Sequence, residues 1–401
     1  MTIPRTIPNA ERISLYVHVP FCETKCPYCD FNTYARIESL MPSYIEALER
    51  EIRAWGQLFS RPSVHTVFIG GGTPSYLPAE DIDTIMSAVR EAFEIEGGAE
   101  VTMEANPGDF DAGKLTRYLD AGVNRLSIGV QSFDDGLLQK LGRRHSAQGA
   151  ADAYRMAIDA GFHNVSLDLM YGLPYQDAQQ WESTLDRVSE LDPAHISMYC
   201  LTLEGGTPME QWVKLGQMPD PDQDLAADMY LSAQERMKKQ GYRHYEISNW
   251  SHVGKESRHN LTYWRNDSYI GVGPGAHSSL PGYRFFNIKP PRDYIDRLAS
   301  FDISVPAAGI YEKIQKMPVV ETIEDIDTTL EMSETMMMGL RLDTGIEVRD
   351  FTERFGGPPD SFYGETLEEL ISLGLLQSEE GCLTLTPHGR IMGNQVFSRF
   401  F

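Results

Sequence analysis

Phe21-Cys22-Glu23-Thr24-Lys25-Cys26-Pro27-Tyr28-Cys29-Asp30-Phe31 decides the fold, because it places a metal-binding spacing directly behind a strand signal. Three of the chain's five cysteines, Cys22, Cys26 and Cys29, fall within eight residues as CxxxCxxC, after the apolar run Leu15-Tyr16-Val17-His18-Val19. Thiolates this close together can converge on one soft metal centre. Three are one fewer than a closed structural zinc site or an ordinary four-iron cluster uses. The simplest completion is a four-iron cluster with one iron open to an exchangeable ligand. A zinc site completed by a distant His or Cys is the competitor, and it predicts a small knuckle-like module.

Downstream of the motif lies instead a long series of strand and helix signals. Ser43 to Phe59 has helical spacing, with Ile45, Leu48, Ile52 and Trp55 on one face. The run Val64 to Ile69 ends in Gly70-Gly71-Gly72-Thr73-Pro74, and a helix is expected from Ala79 to Phe93. The pattern repeats with a strand at Val101 to Glu104, a helix at Ala112 to Ala121 and a strand at Arg125 to Gln131. It continues with a helix at Ala147 to Ala160, a strand at Val165 to Met170, a helix at Gln179 to Leu191 and a strand at His195 to Tyr199. Six apolar strands alternating with amphipathic helices indicate parallel βα units. The pattern changes near Leu203, which favours a partial, open (β/α)6 barrel over a closed eight-fold one. The polar and Gly-rich motifs sit at the carboxyl ends of the strands, where such folds build their sites.

Three regions are expected: the partial barrel over 1–210, an extension over 211–300, and a small C-terminal α+β module over 301–401. The extension opens with a helix from Asp222 to Gln240 and carries His259-Asn260-Leu261-Thr262-Tyr263-Trp264. Pro306 to Val320 reads as a connector, and Thr328 to Leu340 as a helix containing Met336-Met337-Met338. Helices at Val348 to Phe355 and Thr366 to Leu375, then a strand pair from Leu383 to Phe397, resemble a winged helix.

The net charge of -23 argues against nucleic acid or an anionic membrane as the main partner. From Glu321 to Phe401 there are 16 acidic and 5 basic residues, so the winged-helix pattern reads as a packing lid or partner surface, not a DNA reader. No run is long enough to span a bilayer, and Met1 to Arg12 lacks the apolar core of a signal peptide. Five cysteines, three of them clustered, do not suit a disulfide framework. The expected setting is a reducing, cytoplasmic one, with Cys200 and Cys382 as buried inert thiols.

The cysteine motif behind the first strand, the GGTP turn behind the second and a strand-end Glu together resemble the radical S-adenosylmethionine superfamily. Within it the chain is similar, over nearly its whole length, to the oxygen-independent coproporphyrinogen III dehydrogenase family, and more closely to its haem-chaperone branch. The resemblance implies that Cys22, Cys26 and Cys29 hold a 4Fe-4S cluster whose open iron takes the methionine end of S-adenosylmethionine. It implies that Gly71, Gly72 and Thr73 cradle that end, that Tyr16 and Tyr28 flank cluster and cofactor, and that Glu104, Gln131, Arg143 and Asp168 bind S-adenosylmethionine. The residue types suit this, with acceptors for ammonium and ribose hydroxyls and a guanidinium for a carboxylate.

His259 to Trp264 matches the HNxxYW motif of the haem-chaperone branch. An imidazole can ligate iron while rings cover the macrocycle, so His259 is the expected haem residue, with His277 as the weaker alternative. The dehydrogenase carries a fourth cysteine two residues past the third, where this chain has Phe31. That departure favours a haem carrier delivering to an acceptor haem protein, a membrane-associated respiratory one among the candidates. The alternative is a radical enzyme acting on a porphyrinogen or as a methyltransferase.

Overall fold

The structure, a computed structural model, describes residues 12–301 and 309–401. The N-terminal segment read for a leader and the first part of the Pro306 to Val320 connector lie outside the described residues, and within its remainder Ile310–Gln315 is a helix. One twelve-stranded sheet organises the larger part of the chain. In chain order its strands are β1 (Arg12–Val19), β2 (Ser63–Gly71), β3 (Glu94–Ala105), β4 (Arg125–Gln131), β5 (Val165–Tyr171), β6 (His195–Cys200) and β7 (Arg243–Glu246). They continue as β8 (Asn249–Ser251), β9 (Tyr269–Val272), β10 (His277–Leu280), β11 (Tyr283–Asn287) and β12 (Val320–Asp325). Their spatial order is β12-β11-β10-β9-β1-β2-β3-β4-β5-β6-β8-β7.

The strands β1 to β6 pair in parallel, as the alternating pattern predicts. A seventh strand, β9, also pairs in parallel, on the outer side of β1. The remaining pairs are antiparallel, and β12 and β7 end as separate edges, so the barrel is open. The sheet therefore continues through the 211–300 stretch and takes in β12 beyond it.

Alternation along each strand divides the structure into two environments. On β1, Ile13, Leu15, Val17 and Val19 are buried toward the helices, while Ser14, Tyr16 and His18 form the opposite face. The outward face meets a helix at Met41–Leu58, whose Ile45, Leu48, Ile52 and Trp55 are all buried as the spacing predicts. The inward face is held by hydroxyl contacts, Thr66 to Ser14 at 2.7 Å and Ser14 to Thr262 at 2.8 Å. Buried Glu51 ties this helix to the sheet, accepting from Gly273 N, Asn287 and Tyr294. Buried polar groups are tolerable only when satisfied in this way.

β3 runs seven residues further toward the N-terminus than the apolar run Val101 to Glu104 indicates. Pairing of Ser63 with Glu94 and Val64 with Ile95 extends it through Glu-Gly-Gly sequence of poor strand propensity.

A separate core, from Met332 to Phe400, defines the C-terminal module. Helices Thr328–Gly339, Val348–Phe355 and Asp360–Ser372 pack with a small antiparallel sheet in which Cys382–Leu385 lies between Ile346–Glu347 and Leu376–Glu379. The strand pair thus begins before the expected Leu383 to Phe397 stretch and overlaps only its first residues, and most of that stretch is helical. Glu380 and Gly381 both adopt positive φ, the conformation of a two-residue hairpin turn. Thr386 then caps a new helix at Gly389 N, with Pro387 at its first position. The module is joined to the barrel by Asp343 N donating to Tyr245 O and by Arg341 stacked between Trp264 and Phe397.

Candidate functional site

The cysteine loop leaves β1 through the two-residue strand Phe21–Cys22, which pairs with Tyr34–Ala35 and closes the loop at its base. Lys25 Nζ donates to Phe31 O and Thr33 O, and Asn32 donates to Pro274 O, so loop and barrel rim are stitched together. The glycine turn after β2 locks onto the same loop, with Gly72 N donating to Val19 O at 2.7 Å and Thr73 N to Phe21 O at 2.8 Å. Gly72 is required by this approach, since a Cβ there would lie 2.6 Å from Phe21 O and 3.1 Å from Cys22 Sγ.

A cavity of about 530 Å3 opens over the strand ends. Its wall holds Cys22, Cys26, Cys29 and Tyr28 on one side, and Gly71, Gly72 and Thr73 beside them. Glu104, Gln131, Arg143 and Asp168 line it at successive strand ends or the loops beyond them. Two expected residues fall elsewhere. Tyr16 lines an adjoining cavity, and His259 lines neither.

Donors point at the sulfurs, Thr73 Oγ1 at 3.5 Å from Cys22 Sγ and Arg143 Nη1 at 3.7 Å from Cys26 Sγ. Burial raises the Cys22 and Cys29 thiols above their ordinary range, opposed by hydrogen bonds from Thr73 and Thr33 at Cys22 and from Phe31 N and Thr33 at Cys29. Among the described residues no three His, Cys, Asp or Glu side chains close around a point as a single metal ion requires. Three thiols on one cavity wall, with hydrogen-bond donors to two of the sulfurs, match the chemistry of a donor set for an iron–sulfur cluster. Cys22, Cys26 and Cys29 would hold such a cluster, which supplies an electron-transfer centre with a free coordination position.

The inner wall is more polar than the strands' apolar runs suggest. Glu104 is half-buried and accepts from Gly71 N at 2.9 Å; desolvation raises its carboxyl to about 7. Asp168 accepts from Ser127 at 2.8 and 2.9 Å and from Ser166 at 3.1 Å, and burial also raises it. Gln131 follows a register shift at Gly129 and adopts φ +67°, which re-aims its side chain at the strand end. Arg143 Nη2 donates to Gly129 O at 2.6 Å and to Asn106 Oδ1. Arg125, Ser127, Ser197 and Tyr199 also line the wall and were not singled out from the sequence. Their signal was available, as polar residues at every second position of β4 and β6. Cys200 is exposed at this wall and Cys382 half-buried, so neither is the sequestered thiol expected.

His259 begins the helix Arg258–Trp264, which is capped by Ser257 and by the Glu100 carboxylate on the first two backbone amides. Its ring is 1% exposed, with Nδ1 against Thr66 Oγ1 at 2.9 Å and Nε2 against Tyr263 OH at 2.8 Å. Phe68 covers it at 5.1 Å, and burial lowers its pKa to about 3. The expected haem ligand therefore has no free ring nitrogen in this conformation; it braces Tyr263 instead.

The adjoining cavity, about 610 Å3, shares Phe31, Gly71 and Glu104 with the first and is walled by Tyr16, Tyr263, Trp264 and Tyr269. A larger space of about 690 Å3 lies between the sheet edge and the C-terminal module, and its described lining contains no cysteine or histidine.

An open parallel barrel with three cysteines at the mouth and a glycine turn beside them defines a radical S-adenosylmethionine protein. The sequence matches the radical SAM superfamily over residues 16–188 and the HemN C-terminal domain over 327–392. The fold is also that of the coproporphyrinogen III oxidase HemN from Escherichia coli, with a TM-score of 0.82, 23% identity, and 97% of this chain and 90% of that one covered. The chain belongs to the HemW family: it is 37% identical to heme chaperone HemW of Bacillus subtilis over 96% of this chain and 98% of that protein. Similarity to heme chaperone HemW of Escherichia coli is 34% over 97% and 98%. No helix among the described residues is long and apolar enough to cross a membrane.

Proposed function

We propose that the chain is a haem chaperone, binding haem and passing it to an acceptor haem protein while carrying a 4Fe-4S cluster and S-adenosylmethionine. The observation that carries this reading is the pair of contiguous cavities, one ringed by three thiols and strand-end polar groups, the other by aromatic rings. The relatives named for haem chaperoning match it over 96–97% of its length. Glu104, Gln131, Arg143 and Asp168 serve S-adenosylmethionine, with Gly71, Gly72 and Thr73 beside its methionine end and Tyr28 against the cluster. Cofactor and cluster supply redox chemistry, and the chain's residues orient them and exclude water. Exposed Phe31 at the junction of both cavities supplies apolar surface where the dehydrogenase has a thiol. A reducing cytoplasm suits the free thiols.

Retention of the complete strand-end polar set favours, as the second reading, a radical enzyme acting on a porphyrinogen or as a methyltransferase. Anaerobic reconstitution followed by haem titration and transfer to an apo-acceptor separates the two. Stoichiometric haem binding with transfer is expected. Failure to bind haem, with decarboxylation of coproporphyrinogen or methylation of a substrate, sinks the chaperone reading.

A further inference from the structure

Resting on the haem-chaperone reading, we infer that the aromatic cavity beside the cluster site seats the macrocycle, with His277 ligating its iron and Lys289 pairing with a propionate.

Four imidazoles lie in or near this cavity, and only one has a nitrogen to offer. His18 is held at both ends, by Tyr16 OH at 2.9 Å and Asn32 O at 2.9 Å. His259 is buried with both nitrogens engaged. His65 lies deeper, against Ile13 O and Ser14. His277 is exposed and makes no side-chain hydrogen bond among the described residues; its ring stacks on Phe286 at 5.1 Å. It stands on β10 with Ser279 one strand period away, and both line the cavity. Desolvation by its surroundings and the nearby Lys289 and Arg284 charges lower its pKa from the ordinary 6.5, which favours the neutral form that binds iron.

The rest of the lining suits a flat dianion. Tyr263 and Tyr269 pack edge to face at 4.7 Å and, with Trp264, form an apolar wall. The volume of about 610 Å3 is in the range for a cofactor-sized ligand. Arg284 is committed to Glu334 at 2.7 Å, whereas Lys289 Nζ forms no ion pair among the described residues. The carboxyls facing the cavity, Glu104 and Asp267, are both raised by burial, which lessens their repulsion of propionates.

The test titrates ferric haem, and separately metal-free protoporphyrin, into the full chain and its variants, reading affinity and the signature of histidine ligation by absorption and electron paramagnetic resonance. His277→Ala is expected to lose that signature and to weaken haem by about tenfold or more, the scale for losing a metal-site group. Added imidazole should restore the signature, and protoporphyrin affinity should change little. Lys289→Glu should weaken both porphyrins severalfold. Histidine-ligated haem on the wild-type chain that persists in His277→Ala overturns the assignment and leaves the chaperone reading standing. So does a ligation signature lost only in folded His259→Ala. A wild-type chain that binds no haem overturns the chaperone reading itself.

Discussion

The two adjoining cavities are built in opposite ways. The thiol-lined one stands on the carboxyl ends of consecutive parallel strands, each contributing a residue just where its apolar run stops. The aromatic one stands on the inner face of β1, the antiparallel pair β10–β11 and a capped helix, and Met338 reaches it from the C-terminal module. In the first, local sequence order predicts spatial order, because parallel βα units repeat one geometry. In the second, neighbours come from segments more than two hundred residues apart, such as Asn32 and Pro274. A motif read in such a region identifies residues that matter without identifying which of them faces the ligand.

The strongest way to break this comparison is Cys22→Ala. Loss of one of three thiolates should abolish the reconstituted cluster, read as iron and sulfide content and visible absorption. Haem affinity should fall by less than about threefold, since the haem seat shares only Phe31, Gly71 and Glu104 with the cluster site. Equal loss of both would show one site, not two. Gly72→Val comes next. A Cβ would meet Phe21 O, Val19 O and Cys22 Sγ at 2.6 to 3.1 Å, so overpacking should cost about 1–3 kcal/mol and displace the cysteine loop. Thermal melting of the apo-protein reads the first effect and iron content the second.

Much of the barrel was legible because its helices and parallel strands follow periodicities of 3.6 and 2. The helices at Ala147–Ala160 and Val348–Phe355 fall where the spacing puts them. So did the thiols and the strand-end polar residues, whose positions are fixed by where apolar runs end. Less legible were features set by partners distant in sequence. The strand β9 is only four residues, Tyr269–Val272, and is parallel only because it lies beside β1. Arg125 opens an apparently apolar strand and becomes a cavity residue through alternation alone. The HNxxYW helix was found, but the direction of His259 depends on Thr66 and Tyr263, and only the fold reveals both bonds.

That residue sharpens the comparison at intermediate cost. His259→Ala removes a buried ring, strips Thr66 and Tyr263 of a partner and leaves a hole under Phe68. A loss of about 2–4 kcal/mol is expected by denaturant unfolding. The histidine signature of bound haem should survive in the folded variant. His259→Asn, which keeps some hydrogen bonding, should recover part of the stability.

The smallest effect concerns Glu104, which lies on the boundary between the cavities. Its carboxyl is raised from 4.5 to about 7, first by burial and further by the charge of Asp168, against the opposing hydrogen bond from Gly71 N. The folded chain therefore holds a proton that the unfolded chain releases near pH 4.5, and Glu104 lowers stability as pH rises from there to about 7. Binding responds in the opposite sense. Between about pH 6 and 8 the ionised fraction climbs from roughly a tenth to nine-tenths, so affinity for a cationic sulfonium or ammonium should rise severalfold. Calorimetric titration of S-adenosylmethionine across that range should give the slope, and Glu104→Gln should flatten it. A haem affinity that tracked the same slope upward would be surprising, because a new negative charge at the shared wall repels propionates. Opposite pH trends for the two ligands are the expected mark of one carboxylate serving two cavities.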